Sequence, residues 1–221
     1  MPNSENSRTT MSRTEIGEMR RAKMRNRLIA AGAKVIAERG SQKATIDDFI
    51  TEAEVSRGTF YNHFSTREQM LEAIWTSRGH DPFEAILTAC RSISNPAEHL
   101  SAVTRLVLQE AMRDPTLGWL IIALSADVST VNEDLREYPL PDLVAGQAAG
   151  VFHFDDLACA ADMVVGTVRA GLHVLLSETR ESHYIDSMSK LLLIALGVVR
   201  ADAHRISHSA LPIPDAIKDL A

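Results

Sequence analysis

The chain has 221 residues, 45% of them hydrophobic, which is enough to bury a substantial core. Aromatics at 5% and modest glycine and proline favour helices over a β-sandwich. The net charge of −6 argues against a nucleic-acid partner only until it is divided: residues 1–80 hold 13 basic and 10 acidic side chains, and residues 81–221 hold 10 and 19.

In chain order, residues 1–15 are rich in Ser, Thr, Asn and Arg and are expected to be a disordered basic arm. The basic run from Arg13 to Arg27 reads equally as a solvated tail or as an arm that follows phosphates. A helix is predicted from about Glu18 to Arg39, with Leu28, Ile29, Gly32, Val35 and Ile36 on one stripe and Gly40 as its stop. "ATIDDFITEAEV" predicts a second helix with Thr45 as N-cap, Asp48 in the capping-box position, and Ile46, Phe49, Ile50 and Ala53 facing inward. Ser56 caps a third helix of about two turns. Val55 and Phe60 stand as a hydrophobic staple, and Phe64 extends the buried stripe. Ser65 with Glu68 predicts another capping box, opening a fourth helix that buries Leu71, Ile74 and Trp75.

Further helices are predicted at about 82–94, 97–113, 116–128, 133–150, 155–178 and 184–203, with breaks at Asn95-Pro96, Asp114-Pro115, Pro139/Pro141 and "VFHFDD". The last two are apolar on several sides, with Leu157, Val164, Val165, Val168 and Leu172 in one and Leu191 to Val199 in the other. A helix that is apolar on several sides is buried on several sides, which points to a subunit interface besides a core. Residues 206–221 are expected to be an extended tail.

Cys90 and Cys159 have no metal-ligand spacing, so ordinary thiols are expected and neither a metal nor a cofactor. The N-terminus lacks an apolar leader segment, and Leu191–Val199 falls short of the about 20 residues that a bilayer requires. The expected localisation is cytoplasmic, without a membrane partner.

The second and third helices with their tight turn make a helix-turn-helix. Phe60 and Phe64 anchor the third helix, which turns Arg57, Thr59, Tyr61, Asn62 and His63 outward. Arg57 alone reads as a solvated cation, Thr59 as a helper of the cap and His63 as a partner of a neighbouring helix. An exposed Tyr61 between two core phenylalanines serves no packing purpose, and the set together favours DNA. Unpaired N–H groups at the helix start suit phosphate oxygens.

The segment "ATIDDFITEAEVSRGTFYNHFSTREQMLEAIW" resembles the DNA-binding region of the TetR family, the tetracycline-repressor-like transcriptional regulators. The resemblance runs closely from Ala44 to Trp75 and more weakly into the preceding helix. It implies an all-α fold and a homodimer. In that fold a three-helix DNA-binding domain, residues 16–80, precedes a ligand-binding and dimerisation domain, residues 81–205. It implies that the helices at about 155–178 and 184–203 pair with their symmetry mates. Thr45, Tyr61, His63 and Arg67 match positions that contact phosphates in the family. Arg57, Thr59 and Asn62 match base-reading or groove-edge positions, and Gly58 matches the small residue that permits close approach to the backbone. The family's turn glycine is replaced by Glu54, which costs on the order of 1 kcal/mol if the position needs positive φ.

The function implied is a dimeric repressor on a palindromic double-stranded operator, released by a small-molecule effector. Alternatives are an activator, control by a protein partner, a helical enzyme and a structural helical interaction module that binds no DNA. No paired carboxylates, activated nucleophile, metal spacing or phosphate loop supports the enzyme. Met112, Trp119, Phe152, Met163, Arg169 and His173 are candidate effector contacts. The first four read more readily as plain core. Arg169 and His173, four residues apart, suit either an anionic group or acidic partners across a dimer.

Overall fold

A computed structural model describes residues 13–124 and 137–212, and every regular element among them is helical. The first, α1 (Arg13–Arg39), starts earlier than its apolar stripe required, so Arg13 to Glu15 are helical. The helix is exposed from Thr14 to Arg27 except at the half-buried Met24. Its second half buries Leu28, Ile29, Val35 and Ile36 against α2 (Ile46–Glu52), α4 (Arg67–Ile74) and α7 (Pro115–Leu124). Gly32 permits the contact with α4, because a Cβ there would lie 2.5 Å from Met70 Cε and 2.9 Å from Ile74 Cδ1.

The short α3 (Arg57–Tyr61) lies between α2 and α4. The fourth helix is capped by Thr66 rather than Ser65: the Thr66 side chain accepts from Gln69 N–H, and Gln69 Oε1 accepts from Ser65 N–H at 2.8 Å. Thr66-x-x-Gln69 satisfies the same cap rule one residue later. A single π-helical turn, Trp75–Gly79, leads into α5 (His80–Cys90), which ends before the predicted 94. Next come α6 (Pro96–Arg113), capped by Asn95, and α7. The predicted ends at 125–128 and 133–136 lie outside the described residues. The next helix, α8 (Leu140–Ala148), is shorter than expected.

α9 (Leu157–Ser177) follows the predicted bounds. It is long and apolar enough to cross a bilayer by length and composition, yet its Ala160, Val164, Val168 and Leu172 are buried in the fold. The helix predicted at 184–203 is two helices, α10 (Tyr184–Ala195) and α11 (Arg200–Ser207). Gly197 breaks it, with φ +94°, and Val198 N–H closes back on Leu193 O at 3.0 Å. A Cβ on Gly197 would meet the His153 Cβ at 2.9 Å. Tail residues 206 and 207 are therefore helical, and the tail beyond 212 lies outside the described residues.

One buried cluster runs from α1–α4 through Trp75 and Phe83 into α6, α7, Val168 and Leu172, crossing the expected boundary at residue 80. A second gathers Leu100, Leu143, Phe152, Val164, Leu193 and Leu196. Buried Arg105 ties α6 to α10 and to the turn after α11, donating from Nε to Asp186 at 2.9 Å and from an NH group to Ser209 O at 2.8 Å.

Candidate nucleic-acid interface and effector cavity

The Thr45 hydroxyl accepts from Asp48 N–H at 3.2 Å, and the Asp48 carboxylate accepts from Thr45 N–H at 2.9 Å and from its hydroxyl at 2.7 Å. These bonds hold the Asp48 carboxyl below its ordinary value, the Thr45 hydroxyl contributing most. The helix ends at Ala53. Glu54 then takes φ +50°, the one positive φ outside glycine among the described residues. Val55 N–H reaches Ile50 O at 3.0 Å, which completes the left-handed stop that a glycine ordinarily supplies. The Glu54 carboxylate accepts from Arg27 of α1 at 2.8 Å.

Ser56 accepts from Thr59 N–H at 3.1 Å and lies 2.9 Å from the Thr59 hydroxyl. Phe60 and Phe64 are buried with ring centroids 5.7 Å apart, and Tyr61 packs edge-on to Phe60 while remaining 49% exposed. Arg57 and Asn62 are exposed. Arg57 donates to Asp47 at 2.7 Å, an exposed pair with little hold on the side chain. A Cβ on Gly58 would meet only Ser56 Oγ, at 3.7 Å, so nothing inside the chain demands a glycine there.

Half-buried His63 is pushed below the ordinary histidine value, first by burial and then by Arg21 and Arg25. In the chain free of DNA this shift favours the neutral ring, which offers a ring N–H. Arg25 stacks over Phe64 at 5.1 Å. The two arginines were not singled out from the sequence, although their four-residue spacing in the basic run was visible. Arg67 is half-buried, and its Nε donates to Ala44 O at 2.9 Å and an NH group to Ser41 O. Two of its donors thus pin α4 to the α1–α2 loop.

The six effector candidates do not converge. Met112 is 56% exposed at the end of α6. Trp119 packs over Gly40 and edge-on to exposed His173, with ring centroids 5.8 Å apart. Phe152 is buried against Gly146, and Met163 packs on the same second cluster. Arg169 lines a cavity together with Phe83, Val107, Ile121, Tyr138, Val165 and Val168, which the other five do not line. The concavity measures about 300 Å³ including its opening, of which about 10 Å³ is clear for a water-sized molecule. Its walls come from α5, α6, α7, the turn before α8, and α9, so no local sequence pattern marked them. Among the described residues, no group of three or more His, Cys, Asp or Glu side chains is placed to hold a metal.

Residues 28–74 match the family described as bacterial regulatory proteins, tetR family, and residues 95–209 match a tetracyclin repressor-like C-terminal domain. The chain belongs to the TetR family. Its relatives include the HTH-type transcriptional repressor DhaR of Mycobacterium sp. (strain GP1), 40% identical over 50 residues, or 23% of this chain and 25% of DhaR. The repressor NemR of Escherichia coli (strain K12) is 27% identical over 117 residues, 51% of this chain and 57% of NemR. The chain thus aligns with only about a quarter to just over half of these curated relatives. Among solved structures, RolR in complex with resorcinol shares 27% identity with a TM-score of 0.69, covering 90% of this chain and all of RolR.

Proposed function

We propose that this TetR-family chain is a homodimeric transcriptional repressor that binds a palindromic operator and is released by a small molecule. The observation that carries the reading is the outward face of α3, where Arg57, Tyr61 and Asn62 are exposed above a buried Phe60–Phe64 anchor. On this reading Thr45, Tyr61 and His63 meet phosphates, while Arg57, Thr59 and Asn62 face the groove and Gly58 permits close approach. Arg67 has only its remaining N–H groups to offer a phosphate. Repressor action is taken from DhaR and NemR, and a small-molecule ligand from the resorcinol complex of RolR.

The dimer is assigned to the outer faces of α9 and α10. Leu157 and Leu191 are 36% and 61% exposed there, and nothing lies within 4 Å of a Cβ on Gly166. A regulator rather than an enzyme, working on DNA in the cytoplasm, is the consistent assignment. Footprinting on the DNA upstream of its own gene tests it. Two related half-sites spaced by one helical turn or a multiple are expected, and a single unpaired site would remove the dimeric-operator reading.

A further inference from the structure

The cavity beside Arg169 contains a polar feature that the fold does not use. The Tyr138 hydroxyl is buried without a hydrogen-bond partner, and so is the Thr104 hydroxyl. Thr104 is near enough to offset part of the rise that burial imposes on the phenol's pKa, but the two hydroxyls do not reach bonding geometry. An unpaired buried hydroxyl is costly, and natural folds retain one for a reason. Around Tyr138 the lining is apolar apart from Arg169, an exposed residue.

The charges orient a guest. Burial holds the Tyr138 phenol above its ordinary range, and the Asp142 carboxylate adds to that effect. Negative charge is therefore disfavoured beside Tyr138, where a neutral hydroxyl suits the orphaned phenol. The Arg169 guanidinium favours an anion beside it. The space now clear, about 10 Å³, holds roughly one water. A benzene-sized ring occupies a cavity of roughly 150 Å³, so a guest must move the aromatic wall. That wall leads toward the DNA-binding helices. Tyr138 packs edge-on to Phe83 at 6.1 Å between centroids, and Phe83 packs on Trp75 at 5.9 Å. Trp75 opens the π-helical turn that directly follows α4.

Resting on the small-molecule release proposed above, we propose that the cavity takes a small aromatic acid bearing a ring hydroxyl, and that the Tyr138–Phe83–Trp75 stack passes its arrival to α4. The hydroxyl pairs with Tyr138, and the carboxylate with Arg169.

Calorimetry on the full chain without DNA tests the ligand, with 3-hydroxybenzoate and resorcinol as probes. One 3-hydroxybenzoate per chain is expected, bound about tenfold more tightly than resorcinol. Arg169→Gln should remove that preference, and Tyr138→Phe should weaken both probes several-fold without lowering the melting temperature. Equal or tighter binding of resorcinol by the unmodified chain would overturn the acid assignment. Failure of both probes to bind a chain that still binds its operator would overturn the ligand class and leave the repressor reading standing. Phe83→Leu, or Phe83→Met if the first does not fold, should bind 3-hydroxybenzoate yet lose release of DNA in a gel shift. Release as in the unmodified chain would overturn the stack as the route.

Discussion

Glu54 occupies the turn between α2 and α3 in a left-handed conformation, φ +50°, that L side chains adopt at a cost of about 1–2 kcal/mol. Its carboxylate returns part of that through Arg27, but Glu54 is 83% exposed and such pairs contribute about 0–1 kcal/mol. Two substitutions separate the contributions. Glu54→Ala keeps the strain and loses the pair, while Glu54→Gly loses both. The glycine variant is expected to melt roughly 2–4 °C above the alanine variant. Equal melting temperatures would mean that the turn relaxes to negative φ in solution. The family resemblance made this position legible, because Glu stands where the family's turn glycine is expected. Thr45, Ser56, Phe60 and Phe64 were legible for a related reason: caps and stripes are local, with each partner within four residues. Arg67 was not, because its bonds to Ser41 and Ala44 span 26 and 23 residues.

At the level of elements, local rules located most helices but missed breaks that depend on distant partners. Apolar residues continue through Leu191 to Val199, so periodicity carries a helix across Gly197. The break is stabilised from elsewhere, by His153 N–H donating to Leu196 O at 2.8 Å. A second distant tie joins α6 to α8, where His99 Nδ1 lies 2.7 Å from Asp142 Oδ2. The Asp142 contact raises the His99 pKa, with burial opposing. Because the folded value exceeds the ordinary one of about 6.5, the tie stabilises fully below about pH 6.5 and fades as pH rises through the folded value. The loss of melting temperature in His99→Ala should therefore be larger at about pH 5.5 than at about pH 8.5. Equal losses at both would show that His99 acts only by packing.

Across the whole molecule, the DNA-binding helices share one buried cluster with α6, α7 and part of α9. Composition and periodicity predicted helices, the family resemblance implied two units, and the change in charge balance near residue 80 lies between the two family matches. The continuity of the core was not legible, because Trp75, Phe83, Val107 and Val168 meet only once the chain has folded. The cavity went unread for the same reason, and of six candidates only Arg169 reached it. That continuity gives a ligand a mechanical route to α3, on which the repressor reading depends.

The measurement that tests the central claim most directly is a gel-shift titration on the DNA upstream of the gene, with excess unrelated competitor, at two salt concentrations, for the unmodified chain and Arg57→Ala. The account predicts a discrete band that survives competitor and weakens steeply with salt. Arg57→Ala should bind more weakly, with a salt slope shallower by about 0.9 if its phosphate contact is lost, or by less if it reads a base. A folded, dimeric sample giving no competitor-resistant band, or an Arg57→Ala variant binding as tightly as the unmodified chain, would contradict α3 as the DNA-reading element.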